Sequence, residues 1–200
     1  MMELLSPVGD FDCLKAAVQN GADAVYFGAN SFSARAFASN FDDDTLKKAI
    51  NYAKIRGVKT NLTLNTLIKN DEMYNAIALA KKAYEYGIDA IIVQDLGLAR
   101  YMIKNFPGLA VHASTQMSVH NLEGILTLQN MGFLVLYFLE NFLFKKLNIY
   151  VKTQMLKLRH SYMVLFVFHI QVNVYFQVWL VVVLEIVVNV LNLVDYLMNC

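Results

Sequence analysis

Several residue types are scarce in this chain, and each scarcity excludes a class of protein. The 200 residues contain two cysteines, Cys13 and Cys200, which are too few for a disulfide framework and match no metal-binding spacing. The formal net charge is +1, so charge does not point to nucleic acid or to a strongly acidic partner. Residues 1–10 lack the basic leader and the apolar core of a signal peptide. We therefore expect a cytoplasmic location.

Glycine and proline are missing from one part of the chain. All nine glycines and both prolines lie within residues 1–133, and residues 134–200 contain neither. Average usage of about 7% Gly and about 5% Pro would put roughly eight of them in a stretch of that length. Turns need residues that accept a positive φ or fix φ. We therefore treat residues 1–133 and 134–200 as two different pieces.

The first piece alternates short apolar runs with amphipathic runs of helical period. The apolar runs predict five strands, at residues 3–6, 24–28, 58–65, 88–94 and 109–114. The helical runs predict five helices, at residues 10–20, 42–56, 71–86, 96–105 and 121–131. Glycine follows most of these helices, as expected for a helix stop. Repeated strand–helix units predict a parallel sheet with crossover helices.

A barrel and an open, doubly wound sheet both fit this alternation. No G-x-G-x-x-G follows the first strand, which disfavours a dinucleotide-binding sheet. We predict an α/β fold, a partial TIM-barrel-like (βα) repeat with about five units in residues 1–132. Because five of eight strands leave open edges, we expect a poorly folded, inactive product.

Chemistry in such a barrel collects at the C-terminal ends of the strands. The polar residues at the predicted ends are Ser6, Asn65, Gln94, Asp95, His112, Ser114, Thr115 and Gln116. Each of them, taken alone, is more simply explained as a helix cap or as a hydrogen-bond partner of a loop. No spacing among them predicts a metal site.

Five of these residues are candidates for catalysis. They are Asn65, Asp95, His112, Ser114 and Gln116. His112 beside Ser114 suggests a base and a nucleophile, but the sequence provides no evident acid to orient the base, so the hydrolase pattern is incomplete. Arg35 is the candidate for binding an anionic substrate, with a solvated loop arginine as the alternative.

Six motifs of the first piece resemble those of a known family. They are ELLSPVG at 3–9, NGADAVYFG at 20–28, FSARAFASNF at 32–41, TLNTLIKNDE at 63–72, IDAIIVQDLG at 88–97 and VHASTQMSVHN at 111–121. In this order and spacing they resemble the N-terminal region of peptidase family U32, the collagenase-like proteases, over residues 1–132. The resemblance implies a hydrolase that acts on proteins or peptides.

The same resemblance leaves a second activity open. Other members are similar in sequence but act as hydroxylation factors on transfer RNA, ribosomal RNA or quinone precursors, which implies structured RNA as a partner. In those members, cysteines of a C-terminal signature hold an iron–sulfur cluster, a role that suits soft thiolate ligands. These cysteines are missing here, so we expect no cofactor in this chain.

Residues 134–200 are consistent with a shifted reading frame. In a frame shifted by one base, each new codon consists of the third base of one codon and the first two bases of the following codon. Two adjacent valines then give an N-G-T codon, which encodes only Cys, Arg, Ser or Gly. Read in this way, Leu180–Cys200 permits GGRSGNRGKCAQPCRLPYEL, and His160–Val178 permits FIHGALCVSYSGQCLFSS. Both strings resemble the cysteine-rich signature of the family. The shift also explains the missing glycine and proline.

Two other interpretations of this piece are weaker. Met163–Leu191 is long enough to span a bilayer, but it contains His169, Gln171, Asn173 and Glu185, which are costly at the bilayer centre. Membrane association is therefore not expected. A genuine Val-rich β segment would need turn residues that this piece lacks.

We expect genomic sequencing across the codons for Gly132–Val135 to reveal a one-base insertion or deletion. Correcting it would restore the cysteine-rich frame. An unbroken frame, together with a compact product whose Val-rich end resists proteases, would contradict this interpretation.

Overall fold

The computed structural model describes residues 2–34, 41–119, 121–138, 157–163 and 181–186. The strands are β1 Met2–Pro7, β2 Ala24–Gly28, β3 Lys59–Leu64, β4 Ala90–Val93, β5 Ala110–Ala113, β6 Val135–Phe138, β7 Lys157–Met163 and β8 Val181–Ile186. The helices are α1 Phe11–Gln19, α2 Asp43–Ile55, α3 Met73–Tyr86, α4 Leu96–Asn105 and α5 Leu122–Met131, and a short 3₁₀ helix spans Thr115–Met117. The five predicted strand–helix units are confirmed.

Acidic or amide side chains cap the first turn of most helices. The carboxylate of Asp10 accepts a hydrogen bond from the Cys13 amide at 2.7 Å, and Asp42 accepts one from Thr45 at 2.8 Å. Such caps satisfy amides that have no partner within the helix. The bond from Cys13 also lowers the pKa of the Asp10 carboxyl.

Left-handed glycines end two of the helices. Gly87 closes α3 with φ 85°, and Gly132 closes α5 with φ 99°. A Cβ at Gly132 would lie 3.0 Å from Cγ2 of Ile103. The turn from α5 into β6 therefore needs glycine both for its backbone conformation and for the space beside α4.

The strands pair in chain order into a closed barrel. Neighbouring strands from β1 to β7 are parallel, whereas β8 is antiparallel to both β7 and β1. The expectation of open edges is therefore wrong for the described strands, because β6, β7 and β8 pair the edges that five strands would leave free. The tail contributes the two strands β7 and β8.

Successive side chains of each strand divide between two environments, because they point to opposite faces of the sheet. Facing the helices, Phe27, Leu62 and Ile91 belong to the main apolar core. A second, smaller cluster fills the barrel interior and consists of Leu5, Ala24, Ile92, Val135 and Tyr137, with Tyr26 packed against it. This division decides which polar side chains reach the interior.

Within the described part of the chain, no helix combines the length and the apolarity needed to cross a bilayer. The candidate Arg35 lies outside the described residues.

Candidate functional site

Polar side chains of β3 and β5 lie on the inner face of the barrel. Asn61 and Thr63 of β3 are 2% and 4% exposed, and His112 of β5 is 5% exposed. Thr63 pairs with Ile92, and Ile92 pairs with His112, so these three side chains share the face of the interior cluster. Buried polar groups need hydrogen-bond partners or a ligand. The inner face is therefore the first place to look for binding.

The loop after β2 is hydrogen-bonded to the end of β3. The Thr63 hydroxyl donates to the Phe27 carbonyl at 3.1 Å and lies 3.0 Å from the buried Ser33 hydroxyl. One residue beyond β3, Oδ1 of Asn65 accepts a hydrogen bond from the Ala34 amide at 3.1 Å. Asn65 thus ties the segment after β2 to the end of β3 at the C-terminal mouth of the barrel.

The predicted pair His112 and Ser114 occupies consecutive inward positions along β5 and its end. Both side chains are buried. The Ser114 hydroxyl accepts a hydrogen bond from the Gln116 amide at 3.2 Å, which caps the 3₁₀ helix. The His112 ring lies 6.1 Å from the Tyr137 ring, measured between centroids. Ser114 therefore contributes to local structure, and its role as a nucleophile stays a prediction.

Asp95 caps helix α4. Its carboxylate accepts hydrogen bonds from the amides of Leu98 at 2.8 Å and Ile68 at 3.5 Å. These bonds join the β3–α3 loop to the start of α4. They give Asp95 a structural role, and its catalytic role stays a prediction.

A cavity of about 560 Å³ lies between the start of α4, the 3₁₀ helix and α5. Gln94, Asp95 and Gln116 supply its polar wall, and Nε2 of Gln94 donates to the Gln116 carbonyl at 3.4 Å. Its other lining residues are Leu67, Leu96, Gly97, Met117, Val119, Gly124, Thr127, Leu128 and Met131. Two of the predicted site residues, Asp95 and Gln116, thus meet in this cavity. His112 lies on β5, and Asn65 and Ser114 directly follow β3 and β5.

Sequence reasoning did not single out Asn61, Thr63, Ser33 and Tyr137. The alternation in KTNLTL could have revealed the first two, because Asn61 and Thr63 alternate with the core residues Leu62 and Leu64. An alternating polar face in a strand whose opposite face is apolar indicates a wetted or ligand-binding side.

The residues of this chain do not fit an iron–sulfur cluster. Such clusters are held by about four cysteine thiolates, and the whole sequence contains two cysteines. Cys13 lies exposed on α1. Among the residues that the structure describes, no group of three His, Cys, Asp or Glu side chains could hold a metal ion.

Comparison with known proteins identifies relatives of this fold and sequence. The sequence profile described as peptidase family U32 matches residues 9–136. The chain is 39% identical over 132 residues to the 23S rRNA 5-hydroxycytidine C2501 synthase of Escherichia coli, a match that covers 66% of this chain and 20% of that protein. It is 37% identical over 124 residues to a collagenase of Porphyromonas gingivalis, covering 62% and 30%.

A third relative is the tRNA hydroxylation protein P of Escherichia coli, 34% identical over 130 residues, covering 65% of this chain and 29% of that protein. The chain therefore spans less than a third of the length of these relatives. A solved U32 peptidase has the same fold with a TM-score of 0.65 at 13% identity, covering 82% of this chain and 71% of the other. The TIM-barrel-like fold is thus confirmed.

Replacing Asp95 tests its structural task. We expect Asp95→Ala to lower the free energy of unfolding by about 1 kcal/mol, because the amides of Leu98 and Ile68 lose their acceptor. Asp95→Asn keeps an accepting oxygen and should cost much less. Denaturant unfolding of both variants measures the difference, and equal losses would contradict the capping role.

Proposed function

The chain belongs to peptidase family U32, and we propose that residues 1–133 form the N-terminal half of the barrel of an RNA-hydroxylation protein of that family. The substrate class is structured RNA, and the activity is hydroxylation of a base. The relatives with this activity in their names support the proposal. An RNA substrate is also consistent with a cytoplasmic location.

The hydrogen bonds that Ser114 and Asp95 already make carry the proposal. Ser114 and Asp95 already act as caps of the 3₁₀ helix and of α4. A hydrolytic triad needs a hydroxyl, a base and an acid that contact one another in series. The inner face instead offers the amide of Asn61 and the ring of Tyr137, which suit the binding of an uncharged base.

The residues of this chain would bind and orient the substrate. The inner face would hold the base, and a guanidinium such as that of Arg35 is well suited to bind a phosphate. The cysteines to which the family resemblance assigns an iron–sulfur cluster are missing from this chain, so we expect the chain as written to be inactive.

A peptidase is the second candidate function. The 37% identity to a collagenase favours it, and His112 beside Ser114 is the pair that would be tested first. A corrected protein would then act as a hydrolase and cleave gelatin without bound iron.

Deleting the gene tests the proposed function. We expect a hydroxylated pyrimidine nucleoside to disappear from ribosomal or transfer RNA, measured by mass spectrometry of digested RNA. A gene with the corrected frame should restore the nucleoside, and the gene as written should not. Unchanged nucleosides, together with gelatin cleavage by the corrected protein, would favour the peptidase.

A further inference from the structure

We infer that Asn61 recognises the substrate, by donating a hydrogen bond from its Nδ2 to a ring carbonyl oxygen of a pyrimidine base held inside the barrel. The inference rests on the proposed function, because an RNA base is the ligand that it assigns. It adds a specificity-determining residue that none of the sequence motifs indicated.

The first observation is the state of the Asn61 amide. The side chain is 2% exposed, and its Nδ2 has no hydrogen-bond partner in the part of the chain that the structure describes. More than nine-tenths of buried polar groups in native proteins have a partner. A buried amide without an acceptor destabilises a fold, so its presence indicates that a bound molecule supplies the acceptor.

The second observation is the direction of this side chain. Asn61 pairs with Tyr26 on β2 and with Ala90 on β4, and neighbours in register point to the same face of a sheet. Tyr26 packs against the interior cluster. The Asn61 amide therefore points into the barrel, away from the helices.

The third observation is the size of the neighbouring side chains. Ala90 pairs in turn with Ala110 on β5, so two alanines follow Asn61 around the inner face. Bulky branched side chains usually fill the interior of such a barrel. Small side chains at these two positions fill less of the space beside the amide than branched ones would.

The chemistry of the inner face selects the ligand. An amide N–H donates to a carbonyl oxygen without requiring charge on the ligand. The interior cluster contains the rings of Tyr26 and Tyr137, and aromatic rings pack well against a flat base. Cytosine and uracil both carry a carbonyl oxygen at position 2 of the ring, whereas adenine has none.

Nucleoside binding to the full chain tests the inference. Titration calorimetry with cytidine, uridine and adenosine should show binding of the two pyrimidine nucleosides and none of adenosine. Asn61→Leu removes the donor at similar volume, and Asn61→Asp replaces it by an acceptor. Both should weaken cytidine binding by about tenfold or more, the effect of losing one well-formed hydrogen bond.

Two controls separate binding from folding. Asn75→Leu makes the same chemical change at an exposed position of α3 and should leave cytidine binding unchanged. The unfolding midpoint of Asn61→Leu without nucleoside should equal or exceed that of the parent chain, because the buried amide is gone. If Asn61→Leu fails to fold, the binding measured for Asn61→Asp decides.

Three results would overturn the inference. The first is unchanged cytidine binding in the folded Asn61 variants, and the second is adenosine binding as tight as cytidine binding. The third is the absence of any nucleoside binding, which would mean that a buried water accepts the hydrogen bond of Asn61. The proposed function fails separately. If cytidine binding depends on Asn61 but deletion of the gene leaves the RNA nucleosides unchanged, the role of Asn61 is supported and the proposed RNA hydroxylation is contradicted.

Discussion

The two-residue period of the parallel strands is the constraint on which the rest of this structure depends. It directs Leu62 and Leu64 towards the helices and Asn61 and Thr63 into the barrel. A shift of one residue in the register of β3 would exchange these faces. The polar side chains would then enter the apolar core, and the leucines would point into the barrel interior. The apolar face therefore fixes the position of every polar group on the inner face.

Local signals at the helix ends make that register reproducible along the chain. Asp10, Asp42 and Asp95 begin helices by accepting backbone amides, and Gly87 and Gly132 end them in the left-handed conformation. Each signal is encoded within a few residues, so the chain returns to the sheet at a defined point. The loops then bring polar residues to the C-terminal mouth, where Asn65 and Gln94 make contacts between neighbouring segments.

Much of this arrangement could be predicted from the sequence, because its causes are local. The helix predicted at 96–105 has the bounds of α4, and the other four helices differ by a few residues at most. The 3₁₀ helix at Thr115–Met117 was missed because one cap, Ser114, stabilises it without any periodic pattern. The alternation in β3 separates Asn61 and Thr63 from Leu62 and Leu64, but which of the two faces turns inward depends on the curvature of the whole sheet. The pairing of β7 and β8 likewise depends on partners far away in the chain.

Hydrogen exchange of the strand amides in the native state tests most directly whether the sheet and its two faces form one cooperative unit. The account predicts that the hydrogen-bonded amides of β2, β3, β4 and β5 exchange with one common free energy of opening. The reason is that no strand can detach from the sheet without exposing both apolar clusters to water. It would be contradicted if β3 opened at a distinctly lower free energy than its neighbours, since Asn61 and Thr63 would then lie on a strand that moves independently of the barrel.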